Sequence, residues 1–210
     1  MPSVPRPNVL SVDVVPTSLG YAIYSPSRRR FLAWGVKTIT LQNSSYMQSV
    51  IAFEDHYCSN HSFQIVVIER QLRHLDLQMG RIEANLEGSF RAKGNVVVMM
   101  AAGTKYSSHG LQLPQSLEDR FSNWTAAALL RAVTVTGILS KSQQTRLNKK
   151  EAKATADLFL EITSQPAAIQ IAYDTADKQD DMADAVLQAL AYAKIMPGLS
   201  PHRPQVIVID

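Results

Sequence analysis

The length, composition and charge of the chain limit the kinds of protein it can be. With 210 residues, 46% of them hydrophobic, it is long enough for one well-packed domain and short for two. Its formal net charge of +3 and its isoelectric point near 9.0 show a mild basic excess, so the placement of the basic residues matters more than their number. We expect residues 1–210 to form a single domain, with a core at about 9–194 and a C-terminal tail at 197–210.

The single cysteine and the N-terminus indicate where such a protein would work. Cys58 cannot form an internal disulfide, and no Cys or His pattern has the spacing of a zinc site. This favours a reducing compartment. The first residues, MPSVPRPN, contain no apolar signal core, and no stretch approaches the roughly 18 apolar residues of a membrane span. We therefore expect a soluble, intracellular protein with no targeting signal and no membrane partner.

The first part of the chain has the pattern of three strands. Short apolar or alternating runs occupy residues 9–15, 20–25 and 31–39, and turn signals such as Pro-Thr-Ser and Ser-Pro-Ser-Arg separate them. This pattern predicts an antiparallel meander. Residues 44–60, which follow it, have a weaker helical pattern.

A strand, a long helix and another strand follow. Residues 64–69, QIVVIE, form a continuous apolar run typical of a central strand that is buried on both faces. Residues 95–102 form the second strand. Between them, residues 72–91 carry apolar side chains at steps of three and four, which predicts one amphipathic helix; these are Leu75, Met79, Ile82, Leu86 and Phe90. The order predicts a crossover unit with two parallel strands.

The second half of the chain is mostly helical, with predicted helices at 116–133, 148–163 and 175–195. A loose segment at 198–204 precedes QVIVID, which is either a final edge strand or an ordered tail. The fold class is therefore α/β, with a mixed sheet whose first three strands are antiparallel and whose later strands are parallel.

Four carboxylates occupy positions that favour a metal site. Asp13 lies in the first predicted strand, Glu69 ends the buried strand, and Asp181 and Asp184 lie three residues apart on one face of the last helix. Carboxylates brought together repel one another unless a cation lies between them. Such a cluster is typical of sites that hold divalent metal for the cleavage of phosphodiester bonds. The late acids, with Asp180, also fit a simpler alternative, an acid-rich helix N-terminus that the helix macrodipole stabilises.

Three segments resemble the motifs of a known family. VLSVDVVPTSLGYAI, IVVIERQ and KQDDMADAVLQAL, in that order, resemble the three acidic motifs of RuvC-type Holliday junction resolvases of the RNase H-like superfamily. The likeness is to the poxvirus and fungal mitochondrial branch, whose second motif reads I-E-R-Q and whose last motif reads K-K-D-D-x-A-D-x-x-L-Q. It spans about residues 9–194. One position departs from the family: Val15 stands where a glycine is usual, although Gly20 and Tyr21 match.

The resemblance implies a fold and a set of metal ligands. The fold would be RNase H-like, a mixed five-stranded sheet with helices on both faces. Asp13, Glu69, Asp181 and Asp184 would be the catalytic carboxylates and would hold Mg2+, two ions per active site, with Mn2+ as a substitute. Asp180 would lie outside this set.

The resemblance also implies contacts to DNA and a partner subunit. Family members place a basic residue before the last motif to neutralise the scissile phosphate, and Lys149 or Lys150 would take this catalytic role, with Lys150 preferred. The alternative for both is an ordinary exposed helix start. The helix after Glu69 would form a homodimer contact, because symmetric cutting of a four-way junction takes two active sites related by a two-fold axis. The residues expected to contact DNA are Arg70, Arg73, Arg81, Lys149, Lys150 and Lys153. Three aromatic residues could stack on opened bases at the crossover, although such residues more often belong to the core; they are Phe63, Tyr106 and Trp124.

The motifs favour a Mg2+-dependent, structure-selective endodeoxyribonuclease that resolves Holliday junctions by paired, symmetric nicks near the crossover. It would act in the cytoplasm, an organelle or a viral replication site. Three alternatives stay open: an RNase H-like nuclease that acts on other branched DNA or on RNA–DNA hybrids, an actin-like ATPase, and a nucleic-acid-binding module without catalysis. An ATPase would need glycine-rich phosphate loops, and the nine glycines form no such cluster. The presence of all four acids argues against a non-catalytic module.

Overall fold

The computed structural model of the protein describes residues 7–39, 46–55, 59–70, 77–101, 165–195 and 207–209 and, between 146 and 160, a set of single residues and short runs. Every described residue between 146 and 160 is helical, in agreement with the helix predicted at 148–163. The helix predicted at 116–133 lies outside the described residues. So do four residues with predicted roles, Arg73, Tyr106, Trp124 and Lys150.

One mixed sheet forms the centre of the described structure, with the strand order β3–β2–β1–β4–β5–β6. Its strands are β1, Val9–Val15, β2, Ser18–Ser25, β3, Arg30–Thr38, β4, Ile65–Glu69, β5, Val96–Met100, and β6, Ile207–Ile209. The first three strands pair antiparallel, whereas β4 is parallel to β1 and β5 is parallel to β4. This confirms the predicted meander, the crossover and the mixed sheet.

The C-terminal run QVIVID contributes a strand to the sheet. Its residues Ile207–Ile209 form β6, which pairs parallel with β5, Val98 opposite Ile207 and Met100 opposite Ile209. The sequence left this segment open between an edge strand and a tail. The structure therefore extends the expected five strands by a short sixth strand at the edge.

Two helices cover one face of the sheet, and they are α1, Tyr46–Phe53, and α2, Leu77–Ala92. Ile82, Leu86 and Phe90 of α2, spaced by four, are at most 1% exposed. They pack with Leu10 and Val12 of β1 in one apolar cluster. The spacing of four puts these side chains on one stripe of the helix, as the sequence predicts. A Leu86→Ala change would therefore leave a cavity and cost about 2–5 kcal/mol.

Two further helices cover the opposite face, and they are α3, Ala167–Asp174, and α4, Gln179–Ile195. Every residue of α4 from Asp181 to Tyr192 is buried, so this helix is covered on all sides. Trp34 of β3 connects the layers: its ring stacks on Tyr173 with centroids 4.6 Å apart, and its Nε1 donates to the Met182 carbonyl at 2.9 Å. None of the helices in the described ranges is long and apolar enough to cross a membrane.

The helix α3 corrects the prediction from the sequence, which places no helix between residues 163 and 175. Pro166 precedes α3 as its N-cap with φ −56° and ψ 139°, an extended conformation from which a helix can begin. Ile169 and Tyr173, four residues apart, are its buried positions. A helix of eight residues shows too few periods for a reliable pattern. The next helix, α4, begins at Gln179, four residues later than predicted.

Candidate active site

The two predicted strand acids lie on neighbouring parallel strands. β1 and β4 are paired up to Val12 and Ile68, and Asp13 and Glu69 are the next residue of each strand. Adjacent strands lie about 4.8 Å apart, and residues opposite one another in a parallel pair have side chains on the same face. Asp13 is only 4% exposed, whereas Glu69 is half-buried at the strand end. The strand pairing therefore brings these two acids to one edge of one face.

This face is the one covered by α4. Val9 of β1 and Ile65 of β4 pack with Ala191 and Tyr192 of α4 in one apolar cluster. Because alternate strand residues point to the same side, Asp13, four residues after Val9, points toward α4. The same count from Ile65 gives the same direction for Glu69.

The first turns of α4 supply Asp181 and Asp184, which are 3% and 8% exposed. The Ser18 hydroxyl at the start of β2 donates to Asp181 Oδ2 at 3.0 Å. One turn beyond Asp184, Gln188 Nε2 donates to the Val12 carbonyl of β1 at 3.5 Å. Residues 181, 184 and 188 lie on one face of a helix, so the face that carries both acids is the face that contacts β1 and β2.

Gly20 lies next to both the strand acid Asp13 and the helix acid Asp181. In the β1–β2 ladder, Gly20 is the residue opposite Asp13. A β-carbon at Gly20 would stand 2.2 Å from the carbonyl oxygen of Asp181 and 2.7 Å from its carbonyl carbon. Only glycine permits this approach, because any side chain would collide with the helix backbone. The backbone of Asp181 therefore lies directly over the strand pair that contains Asp13.

Lys149 is the basic residue that the structure brings to these acids. Its ammonium forms an ion pair with Asp180 and lies 3.7 Å from Asp181 Oδ1. Burial alone would lower the pKa of Lys149, but the hydrogen bond to Asp180 and the nearby acidic charges raise this pKa above its ordinary value. Burial would raise the pKa of Asp180, and Lys149 holds that pKa below its ordinary value. The lysine therefore stays charged beside the first turn of α4.

The ligand type at this site suits a hard divalent cation. The acids offer carboxylate oxygens, which Mg2+ prefers in proteins. Two further buried oxygens on the same elements, Ser11 Oγ of β1 and Gln188 Oε1 of α4, have no hydrogen-bond partner among the described residues. As placed, however, no three His, Cys, Asp or Glu side chains within the described ranges form a group that could hold a metal ion. The structure thus gives the acids a common face and the right ligand chemistry without an assembled metal cluster.

The predicted DNA-binding residues are distributed on both sides of the sheet. Arg70 directly follows Glu69 and is exposed, and Lys153, one turn beyond Lys149, is also exposed. In the sequence, both are close to residues of the site, Arg70 to Glu69 and Lys153 to Lys149. We call the side of the sheet that carries Asp13, Glu69, Asp181 and Asp184 the carboxylate face. Arg81 is exposed as well, but it belongs to α2, which covers the other face of the sheet. The structure therefore does not bring Arg81 to the acids. Phe63 is half-buried and packs edge-on against Phe90, with ring centroids 6.0 Å apart, as a core residue does.

Three residues of the site have no role in the sequence analysis: Ser18, Lys178 and Gln188. Lys178 Nζ donates to Ser18 Oγ at 3.0 Å and to Thr17 Oγ1 at 3.1 Å. Lys178 and Gln188 lie inside the acidic motif that resembles the resolvases, but a motif gives no contact partner. Ser18 is 163 residues away from the carboxylate that it contacts, so no local pattern signals the pair.

Comparison with known proteins supports the fold. No family model matches the chain, and no curated protein matches its sequence. Among solved structures, the yeast mitochondrial Holliday junction resolvase is similar with a TM-score of 0.56 and 17% identity, over 92% of this chain and 82% of that one. Two structures of Thermus thermophilus RuvC, one in complex with a Holliday junction substrate, have TM-scores of 0.49 and 0.48 at 15% and 13% identity, each over 90% of this chain and 96% of that one. The likeness to the yeast structure shows that the chain has the predicted RNase H-like fold.

Proposed function

We propose that this protein is a Mg2+-dependent, structure-selective endodeoxyribonuclease that resolves Holliday junctions by paired nicks near the crossover. The observation that carries the proposal is the common face of Asp13, Glu69, Asp181 and Asp184. Two come from adjacent parallel strands, and two come from the first turns of the helix packed across them. Rigid elements that present several buried carboxylates to one region are what two-metal phosphodiester chemistry requires. The fold shared with the yeast resolvase supports the same substrate class.

The four acids would hold the metal in this proposal. When bound, Mg2+ would supply an activated water and neutralise the charge on the leaving oxygen. Asp13 and Asp181 lie close to one another through Gly20, and Glu69 approaches from the neighbouring strand. Asp180 would remain outside the ligand set because its carboxylate forms an ion pair with Lys149.

Lys149 would act on the phosphate of the substrate. It is charged and half-exposed, and it lies next to Asp181. An ammonium there would balance the buried carboxylates and attract a phosphodiester toward them. Exposed Arg70 and Lys153 would contact further phosphates, which positions the DNA without reading its sequence. The roles predicted for Lys150 and Arg73 belong to this proposal as well.

A homodimer would provide the second active site. The exposed start of α2 supports this part of the proposal, because Leu77 is 73% exposed on the helix that the resemblance assigns to the subunit contact. A second subunit over the start of α2 would remove this apolar side chain from water, which favours association. Two-fold symmetry would then set two carboxylate faces at opposed strands of the junction. Arg81, on the same helix, would contact DNA near the subunit boundary.

The test is a substrate panel. End-labelled four-way junction, matched duplex, Y-shaped DNA and RNA–DNA hybrid are incubated with the purified protein in Mg2+ or in EDTA. Symmetric nicks confined to the junction, present in Mg2+ and absent in EDTA, are the expected result. Cleavage of the hybrid or of Y-shaped DNA in preference to the junction would assign the fold to a different nuclease. No metal-dependent cleavage of any substrate would contradict the proposal.

A further inference from the structure

Ser18 lies at the centre of a hydrogen-bond chain that ends on a proposed metal ligand. The residue is fully buried at the start of β2, and its hydroxyl contacts two charged groups. Lys178 Nζ is 3.0 Å from Ser18 Oγ, and Asp181 Oδ2 is 3.0 Å from the same oxygen. A lysine ammonium carries donors only, so Ser18 Oγ accepts from Lys178. The one proton of the Ser18 hydroxyl is then donated to Asp181. The hydrogen bonds therefore run from Lys178 through Ser18 to Asp181.

Each oxygen of the Asp181 carboxylate has its own contact. Oδ2 accepts from Ser18, whereas Oδ1 lies 3.7 Å from the Lys149 ammonium. The Asp181 backbone rests against Gly20. Of these contacts, only the one from Ser18 is a hydrogen bond to the carboxylate from a fully buried group. It therefore limits rotation of the carboxylate about its own axis more strongly than the half-exposed lysine does.

Lys178 increases the strength of this contact. A hydroxyl that accepts a charged donor is polarised and becomes a better donor itself. Lys178 also donates to Thr17 Oγ1 at 3.1 Å, so its ammonium is held over the β1–β2 turn by two oxygens. The turn and the start of α4 are thereby connected through side chains that lie 160 residues apart in the sequence.

We infer that Ser18, polarised by Lys178, is a positioning residue that fixes the Asp181 carboxylate for metal binding. This inference rests on the proposed function, since it assigns Asp181 to a divalent cation. Neither residue would touch the metal or the DNA. Groups that hydrogen-bond a ligating carboxylate orient it and raise metal affinity, and their removal weakens binding by about 10–100-fold. The ligand class is a hard divalent cation, Mg2+ or its spectroscopic substitute Mn2+.

The experiment measures Mn2+ binding to the DNA-free protein by electron paramagnetic resonance, which does not depend on cleavage. Ser18→Ala and Lys178→Met should each raise the dissociation constant for Mn2+ about tenfold. The double variant should lose little more Mn2+ affinity than Ser18→Ala alone, because both residues act through the same series of hydrogen bonds. Thr17→Val is the matched control: it removes the second acceptor of Lys178 and leaves the Ser18 contact, so its Mn2+ affinity should change less than about twofold. Lys178→Arg should restore most of the affinity lost in Lys178→Met.

The outcomes separate this inference from the proposed function. Weaker Mn2+ binding in Asp181→Asn together with unchanged binding in Ser18→Ala and Lys178→Met would overturn the positioning role alone. Unchanged binding in Asp181→Asn, or no Mn2+ binding by the unmodified protein, would overturn both. Urea unfolding of each variant in EDTA tests a purely structural role. If Ser18→Ala fails to fold, the half-exposed Lys178→Met variant decides the question by itself.

Discussion

Gly20 lies against the backbone of Asp181 so closely that a β-carbon on the glycine would stand 2.2 Å from the Asp181 carbonyl oxygen. The contact joins two parts of the chain that sequence analysis treats separately, the first hairpin and the last acidic motif. It also sets the height of α4 over the strand pair that holds Asp13. The positions of the strand acid and the helix acid therefore depend on one residue that has no side chain.

Replacement of Gly20 by alanine should damage both stability and the site. The new methyl group would collide with backbone atoms, which cannot rotate away, so the start of α4 must shift. We expect a loss of about 1–3 kcal/mol in the free energy of unfolding and a large drop in junction cleavage. Urea denaturation and a cleavage assay measure the two effects.

Gly88→Ala is the matched control for this change. Gly88 lies within α2, and a β-carbon there would meet nothing within 4 Å. Alanine should stabilise the helix by about 0.4–1 kcal/mol because it lowers the entropy of the unfolded chain. Equal behaviour of the two variants would contradict the close approach at Gly20.

Removal of the charge on Lys149 should slow cleavage and weaken junction binding. The lysine balances Asp180 and Asp181 and would also face the substrate phosphate. In Lys149→Met we expect the cleavage rate at saturating Mg2+ to fall by about 10–1000-fold, since one preorganised positive charge is lost. A single-turnover rate and a gel-shift titration check the prediction. Lys153→Met, an exposed lysine one turn later, should affect binding and leave the single-turnover rate nearly unchanged. A rate in Lys149→Met equal to that of the unmodified protein would remove the lysine from the mechanism.

The exposed apolar residue at the start of α2 should matter for subunit association. Leu77 is 73% exposed. Leu77→Asp would place a charge in the proposed dimer contact, so we expect a shift from dimer to monomer in sedimentation velocity. Ile171→Asp on α3 is the control, because Ile171 is 61% exposed on the opposite face of the sheet and should leave the dimer intact. Dissociation by the control and not by Leu77→Asp would place the contact on the α3 face.

Because Tyr192 is buried, we expect the free energy of unfolding to fall at alkaline pH. The side chain is 3% exposed among apolar neighbours, and its hydroxyl has no hydrogen-bond partner in the described residues. Burial raises the pKa of this phenol from 10.0 to about 12. The unfolded chain then loses the phenolic proton first, so the stabilising contribution is present below pH 10 and is lost as the pH rises to about 12.

The variant Tyr192→Phe should remove that part of the pH dependence. At neutral pH it should be as stable as the unmodified protein or more stable, since a buried hydroxyl without a partner is costly. Urea midpoints at pH 7, 10 and 11.5 measure both effects. A marked loss of stability at pH 7 would mean that the hydroxyl has a partner after all.

The sequence predicted the elements whose patterns are long or continuous. The apolar run at 64–69 indicated a buried strand, and the stripe of Ile82, Leu86 and Phe90 indicated the face of α2 that packs on the sheet. Such patterns follow from which side chains are buried, so the predicted bounds of β4 and α2 lie within a few residues of those in the structure. The short helix α3 and the late start of α4 were missed, because eight residues or a few turn positions carry too little periodicity.

The acids could be found from the sequence, but their partners could not. Asp13 is the acid within the apolar run of β1 and Glu69 ends the apolar run of β4, and both positions are visible in the pattern. Ser18 and Gly20 contact Asp181 across about 160 residues of chain, and such contacts depend on how α4 packs across β1 and β2. Local propensity contains no information on that packing. The ion pair of Lys149 with Asp180 is similarly a product of the tertiary structure, although Lys149 was one of the two lysines proposed from the sequence, with Lys150 preferred.

The proposed active site is tested most directly by comparing Asp180 and Asp181, adjacent acids with different proposed roles. Each is replaced by asparagine, and Mg2+-dependent cleavage of a four-way junction is measured beside junction binding in EDTA. We expect Asp181→Asn to abolish paired nicking and to keep or strengthen junction binding, because a negative charge near the phosphates is removed. Asp180→Asn should retain cleavage within about tenfold, since it loses an ion pair and no metal ligand. Equal loss in both variants, or full activity in Asp181→Asn, would contradict the assignment of the carboxylate face as the catalytic centre.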